Sequence, residues 1–120
     1  MKTMLIADDS AFTRKTIKIF AEKAEIKVVA EAANGTEAIE KYKEHTPTVV
    51  TMDYAMDEAN GIQATRAILE INPKAVIILI SSLGAQTAIA HEALATGVKT
   101  VMKKPLDSNE FISFLLNLPD

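Results

Sequence analysis

The sequence predicts an α/β protein built on a doubly wound, five-stranded parallel sheet with helices on both faces. Three observations predict it. Five short apolar runs rich in β-branched residues alternate with five segments whose apolar residues recur at helical spacing. Each pair of runs is separated by a helical segment, the crossover that parallel strands require. The longest run, Ala75-Val76-Ile77-Ile78-Leu79-Ile80, is apolar throughout, as a strand covered on both faces must be.

Thr3 to Ala7 is the first run, stopping at Asp8-Asp9-Ser10. Ser10 is placed as an N-cap, after which Ile17, Phe20, Ala21 and Ala24 recur at helical spacing and Arg14, Lys15, Lys18 and Lys23 form a basic outer face. Lys27 to Ala32 is strand-like but less apolar, as an edge strand would be, and Asn34-Gly35 breaks it. Thr36 to Glu44 reads as the second helix, with Glu37 and Lys41 in the favourable i,i+4 order. Thr48 to Asp53 is the third strand, and a loop through Gly61 leads to a helix marked by Ile62, Thr65 and Leu69 and stopped by Asn72-Pro73.

The fourth run ends at Ser81-Ser82. Gln86 to Thr96 carries Ile89, Ala90, Ala93 and Leu94 on one side and meets Gly97, a C-cap. Thr100-Val101-Met102 is a brief last strand running into Lys103-Lys104-Pro105. Asp107 and Glu110 have the spacing of a capping box, and Phe111, Ile112, Leu115 and Leu118 give the final helix its buried stripe. The strand order expected of this pattern is 2-1-3-4-5, the flavodoxin-like arrangement.

Composition narrows the function classes. At 120 residues, with 48% hydrophobic and 24% charged residues, the expectation is one globular domain over 1–120, without repeat, low-complexity tract or linker. The absence of cysteine excludes disulfides, thiolate metal sites and thiol nucleophiles. A net charge of −3 and no Lys/Arg run argue against a nucleic-acid partner. No apolar stretch has the length of a membrane span and the first residues lack a signal-peptide core, so a cytoplasmic protein with no membrane partner is expected.

In a 2-1-3-4-5 sheet, Asp8, Asp9, Asp53, Ser81 and Lys104 all arrive at the carboxyl edge of adjacent strands, where ligands of open α/β sheets bind. Taken singly each has an ordinary explanation: Asp9 as a cap, Asp53 as a turn former, Ser81 as a turn hydroxyl, Lys104 as surface charge. Jointly they describe chemistry. Three crowded carboxylates would raise one another's pKa, a cost relieved by an oxygen-preferring divalent cation such as Mg²⁺. That ion keeps coordination positions for a phosphoryl group, for which Lys104 supplies charge and Ser81 a hydroxyl. An Asp carboxylate can itself accept the phosphoryl group, and Asp53, on the central strand of the group, is best placed. His45 and His91 lie on separate helices and suggest no site, and the strand methionines read as core filler.

Asp8-Asp9-Ser10, Asp53 with Met56 and Gly61 behind it, Ser81-Ser82, and Lys104-Pro105 resemble, in order and over the whole chain, the receiver domain of two-component response regulators. The Ser81-Ser82-Leu83-Gly84 run and the chain end are similar to stand-alone receivers of the chemotaxis type. The resemblance implies reversible phosphorylation of Asp53 by a histidine kinase or histidine phosphotransfer protein. It further implies Mg²⁺ on Asp9, Asp53 and the Ala55 backbone carbonyl with Asp8 behind, and Ser81 and Lys104 contacting the phosphoryl group. A monomer is expected, a signalling phosphoprotein rather than a turnover enzyme, with a protein target on the face of helix four, strand five and helix five. Phe12, Arg14, Lys15 and Lys18 are expected to dock the phosphodonor.

Three departures from the family pattern stand out. Asp57 occupies the position of a proline after Met56, which is expected to loosen the loop, and Ala59-Asn60 replaces Met-Asp. Val101 stands where an aromatic ring usually swings inward on phosphorylation, and valine is short and stiff at χ1. Rival readings fit less well. A flavin protein would need a hydroxyl- and glycine-rich loop after strand one, and a dehalogenase-type phosphatase a second acid at position 55, which is Ala. A receiver-fold binding module that signals without phosphorylation is the alternative, favoured only by Val101 and the altered loop.

Overall fold

In the computed structural model, which describes residues 1–84 and 87–119, five strands alternate with five helices. The strands are β1 (Thr3–Ala7), β2 (Lys27–Ala32), β3 (Val49–Asp53), β4 (Val76–Ser81) and β5 (Thr100–Lys103). The helices are α1 (Ala11–Lys23), α2 (Gly35–His45), α3 (Gly61–Ile71), α4 (Ala88–Thr96) and α5 (Ser108–Leu116). Every strand pair is parallel and the order is β2-β1-β3-β4-β5, the flavodoxin-like order expected from the sequence.

Side-chain alternation divides the core into two layers. Leu5, Val50, Met52, Ile77 and Leu79 face α2, α3 and α4, where they meet Tyr42, Ile62, Ile68, Ala90 and Ala93. Met4, Ile6, Ile78, Ile80 and Met102 face α1 and α5, against Ile17, Ala21, Phe111 and Leu115. β4 feeds both layers: Ile77, Ile78, Leu79 and Ile80 are each at most 1% exposed. Burying such side chains stabilises by about 1.5–3 kcal/mol apiece, so the strand that carries Ser81 is firmly held. β2 is only partly buried, with Val28, Val29 and Ala30 half-buried and Lys27 and Glu31 exposed, as befits an edge.

Helix ends follow local chemistry. Ser10, Asn34, Thr87 and Asp107 each accept a backbone N–H three residues on, as N-caps do. The reciprocal capping box sits on α3, where Asn60 accepts from Gln63 N and donates its own N–H to Gln63 Oε1, both at 2.9 Å. The sequence pattern marks that stretch only as a loop.

Three expectations are corrected. α4 begins at Ala88 behind its Thr87 cap, and Gln86 lies outside the described residues. Leu94 is 47% exposed rather than part of the α4 stripe, because Ala90 and Ala93 take the buried positions and Leu94 is rotated a further helical step toward solvent. Arg14 leaves the basic outer face: its side chain is only 18% exposed and bonds to the Asp8 carbonyl and to Glu31. Side chains on a helix lean toward its N-terminus, which turns Arg14 back over the end of β1.

Candidate functional site

The carboxyl edge of β1, β3, β4 and β5 forms a cleft of about 430 Å³ whose lining includes Asp9, Asp53, Ala55, Ser81, Leu83 and Lys104. Asp8 lies beneath it, fully buried. The Asp8 N–H extends the sheet to Ala32 O at 3.0 Å, and Asp8 Oδ1 accepts from Ser10 N at 2.9 Å, so this residue is tethered through both its backbone and its carboxylate. Asp9, one residue on, is exposed.

Asp53 is the last residue of β3, in register with Ile80 and 5% exposed. Its position is fixed from behind by Gly61, whose N–H donates to Tyr54 O at 2.9 Å. A Cβ at Gly61 would come within 2.5 Å of Asp53 O and 2.9 Å of both Tyr54 Cα and Leu79 Cδ1, so the close approach of α3 to the end of β3 requires glycine. The loop between them is held at Asp57, whose carbonyl accepts from Ala59 N at 2.8 Å and Gly35 N at 3.4 Å. The loosening expected from the missing proline is thus opposed by two converging donors.

Ser81 closes β4. Its carbonyl accepts from Lys104 N at 3.1 Å and Gly84 N at 3.3 Å, and its hydroxyl oxygen accepts from Leu83 N at 3.1 Å. Because the hydroxyl is held as an acceptor, its own proton is available to a group in the cleft. Lys104 Nζ stands 2.9 Å from Asp8 Oδ2 and 3.3 Å from Asp53 Oδ2.

Burial first, and then the Asp8 charge, push the Asp53 carboxyl above its ordinary pKa; the charge and the hydrogen bond of Lys104 work the other way without cancelling the rise, and Asp9 adds to it. For Lys104, burial is the largest influence and favours loss of the proton. The hydrogen bond to Asp8 and the charges of Asp53 and Asp8 together outweigh it, and the ammonium is held above its usual pKa. The cluster therefore carries one firmly protonated cation against three acids. One carboxylate oxygen from each of Asp8, Asp9 and Asp53 lies within 4.8 Å of the others, an all-oxygen donor set suited to a small hard cation.

Every predicted site residue reaches this edge, Asp8 from below and the others in the cleft wall. His91 is exposed and His45 lies against Glu44 at 3.6 Å, neither of them in the cleft lining. The sequence reading missed Arg14 as a support of the site; the signal was its place one turn after the Ser10 cap. A separate groove of about 340 Å³ runs beside the site between Phe12, Thr16 and Ile17 of α1 and Lys104, Pro105 and Leu106. Phe12 is 80% exposed at its rim, and Lys15 and Lys18 are exposed nearby on α1. No helix among the described residues is long and apolar enough to cross a membrane.

Comparison with known proteins agrees with this geometry. A family model described as response regulator receiver domain matches residues 4–115. Chemotaxis protein CheY of Thermotoga maritima is 45% identical over 114 residues, covering 95% of this chain and 94% of that protein. Chemotaxis protein CheY of Bacillus subtilis is 43% identical over 109 residues, covering 91% and 90%. Among solved structures, the CheX-CheY-BeF3-Mg complex from Borrelia burgdorferi superposes with a TM-score of 0.88 at 33% identity, over 93% of this chain and 84% of that one.

Proposed function

This chain belongs to the response regulator receiver domain family, and we propose that it accepts a phosphoryl group on Asp53 from a phosphorylated histidine and signals by phosphorylation-dependent protein binding, in chemotaxis as its CheY relatives' name indicates. The observation that carries this is the pairing of the buried Asp53 carboxylate with a fixed cation: Lys104 holds 3.3 Å from the carboxylate while anchored at 2.9 Å on Asp8.

Asp53 supplies the nucleophile. One of its oxygens attacks phosphorus, a P–O bond forms as the P–N bond to the donor imidazole breaks, and the imidazole leaves neutral with the bond pair and the proton on its other nitrogen. Lys104 is protonated before the reaction and is held by Asp8, so its charge meets the phosphoryl oxygens without reorganisation. Ser81 directs its hydroxyl proton to the same group while keeping Leu83 N as donor. Asp9, Asp53 and the Ala55 carbonyl, with Asp8 behind, would hold Mg²⁺. When bound, that ion offsets the crowding of the carboxylates and neutralises charge on the transferring phosphoryl group.

The donor is a histidine kinase or histidine phosphotransfer protein, docking on Phe12, Lys15, Lys18 and the groove beside Pro105 and Leu106. The downstream target binds the face of α4, β5 and α5. The chain acts in the cytoplasm as a monomeric signalling phosphoprotein, not a turnover enzyme. Incubation with acetyl phosphate and Mg²⁺ tests the reading: the intact mass should rise by one phosphoryl group, and chelation should prevent it. No mass gain under any donor would support a module that binds without phosphorylation.

A further inference from the structure

Where Arg66 meets only the Glu92 carboxylate among the described residues, Arg14 makes two bonds, one of them to a backbone carbonyl. Its Nη1 donates to the Asp8 backbone carbonyl at 2.6 Å, and its Nε donates to Glu31 Oε1 at 3.0 Å. Glu31 is near the end of β2 and is paired in register with Ile6 of β1, so the guanidinium is braced by the sheet itself. The accepting carbonyl belongs to the peptide that joins Asp8 to Asp9. Asp8 is already fixed through its N–H to Ala32 and its carboxylate to Ser10 and Lys104. Asp9 is exposed, and among the described residues its side chain makes no hydrogen bond or ion pair. What orients Asp9 is therefore its backbone, and the plane of the Asp8–Asp9 peptide is set by Arg14.

We propose that Arg14, braced by Glu31, is a positioning residue for Asp9: by holding the Asp8–Asp9 peptide it presents the Asp9 carboxylate to the cation that the three acids would share. This rests on the reading of Asp8, Asp9 and Asp53 as a cation site. Arg14 acts without touching the ion. A planar guanidinium is suited to this because its fork serves a carbonyl and a carboxylate at once, where an ammonium offers a single point of charge. Groups that orient metal ligands without contacting the metal change affinity by about 10–100-fold when removed.

The test is the Mg²⁺ affinity of the unphosphorylated full chain, by calorimetric titration and by the Mg²⁺-dependent shift of the Asp9 amide. Arg14→Met keeps the apolar stem and removes the donors, so the fold is retained. Its Mg²⁺ affinity should fall about tenfold, its Asp9 amide should shift even without metal, and Arg14→Lys should recover part of the loss. A purely structural arginine would change the melting temperature and leave these readings alone. Asp9→Asn should abolish most of the affinity, and adding Arg14→Met to it should cost no more. Unchanged affinity in Arg14→Met beside a loss in Asp9→Asn would overturn the positioning role and leave the cation site standing. Equal losses from Arg14→Met in both backgrounds would overturn it as well. Unchanged affinity in Asp9→Asn would instead overturn the reading of the cation site.

Discussion

Lys104, the residue just after β5, reaches Asp53 at 3.3 Å across two places of the sheet, so the end of β5 supplies the counter-charge for the acid that β3 presents. Both groups are held partly out of water, and the pairing matters to folding as well as to chemistry. Lys104→Met should destabilise the metal-free protein at neutral pH by about 1–3 kcal/mol, the usual cost of leaving a buried charged partner unmatched. The raised pKa of Lys104 means that its contribution is complete at neutral pH and is lost only as pH rises through its folded value. The loss in the variant should shrink as acid protonates Asp53. Urea unfolding across the acid to neutral range measures this, and a pH-independent loss would contradict it.

Asp53 has the same sign of linkage in a lower pH window. Its folded pKa is raised, first by burial and then by Asp8, so the folded state holds this proton more tightly than the unfolded chain does. Its contribution to stability declines as pH rises from the ordinary Asp value through the folded one. Asp53→Asn should therefore be more stable than the parent at neutral pH without metal, by on the order of 1 kcal/mol. The difference should vanish in acid, and thermal melts at both ends of the window decide it.

Gly61→Ala should damage both fold and site. A Cβ there would press on Asp53 O at 2.5 Å, and forcing atoms into a closed contact costs about 1–3 kcal/mol. Because the displaced atoms belong to Asp53 and Tyr54, phosphorylation by a small donor should slow by more than the folded fraction falls. Loss of stability with an undisturbed rate for the folded protein would show that α3 can retreat alone.

Lys15→Glu combined with Lys18→Glu should slow transfer from a cognate phosphohistidine protein about tenfold at low salt, since charge at an interface acts mainly on encounter. Acetyl phosphate should serve the variant as well as the parent. Arg14 is left out of this set because its charge is spent on Asp8 and Glu31. Equal slowing with both donors would point to damage within the site.

Switching should run through the loop after β4. Leu83 N is bonded to the Ser81 hydroxyl at 3.1 Å, so movement of Ser81 toward a phosphoryl group is passed directly to Leu83, which is 57% exposed. Val101 is 8% exposed and packed in the α2-α3-α4 layer, with no ring to rotate. Beryllofluoride should shift the amides of Ser82 to Gly84 and Thr87 to Ala90 strongly and that of Val101 slightly. Large shifts at Val101 would place the output route through β5.

The fold was legible because the five strands are short, apolar and bounded by polar residues, and the 2-1-3-4-5 order then collects Asp8, Asp9, Asp53, Ser81 and Lys104 at one edge. What escaped the sequence depends on side-chain direction and on contacts across the chain. Arg14 has the spacing of a surface residue, and only its lean toward the helix start turns it onto Asp8. Leu94 follows the apolar pattern, yet two alanines fill the space beneath α4. The Asn60 and Gln63 capping box is hidden at the end of a stretch that reads as a loop, since its signature uses Asn rather than Ser or Thr.

The central claim is that Asp53 receives the phosphoryl group. After treatment with acetyl phosphate and Mg²⁺, borohydride reduction converts an acyl phosphate to an alcohol at the modified carbon, and peptide mass mapping locates it. The account predicts a single modified residue, Asp53, and no incorporation in Asp53→Asn. Full incorporation in Asp53→Asn, or modification mapped to Asp8, Asp9 or a serine, would contradict it.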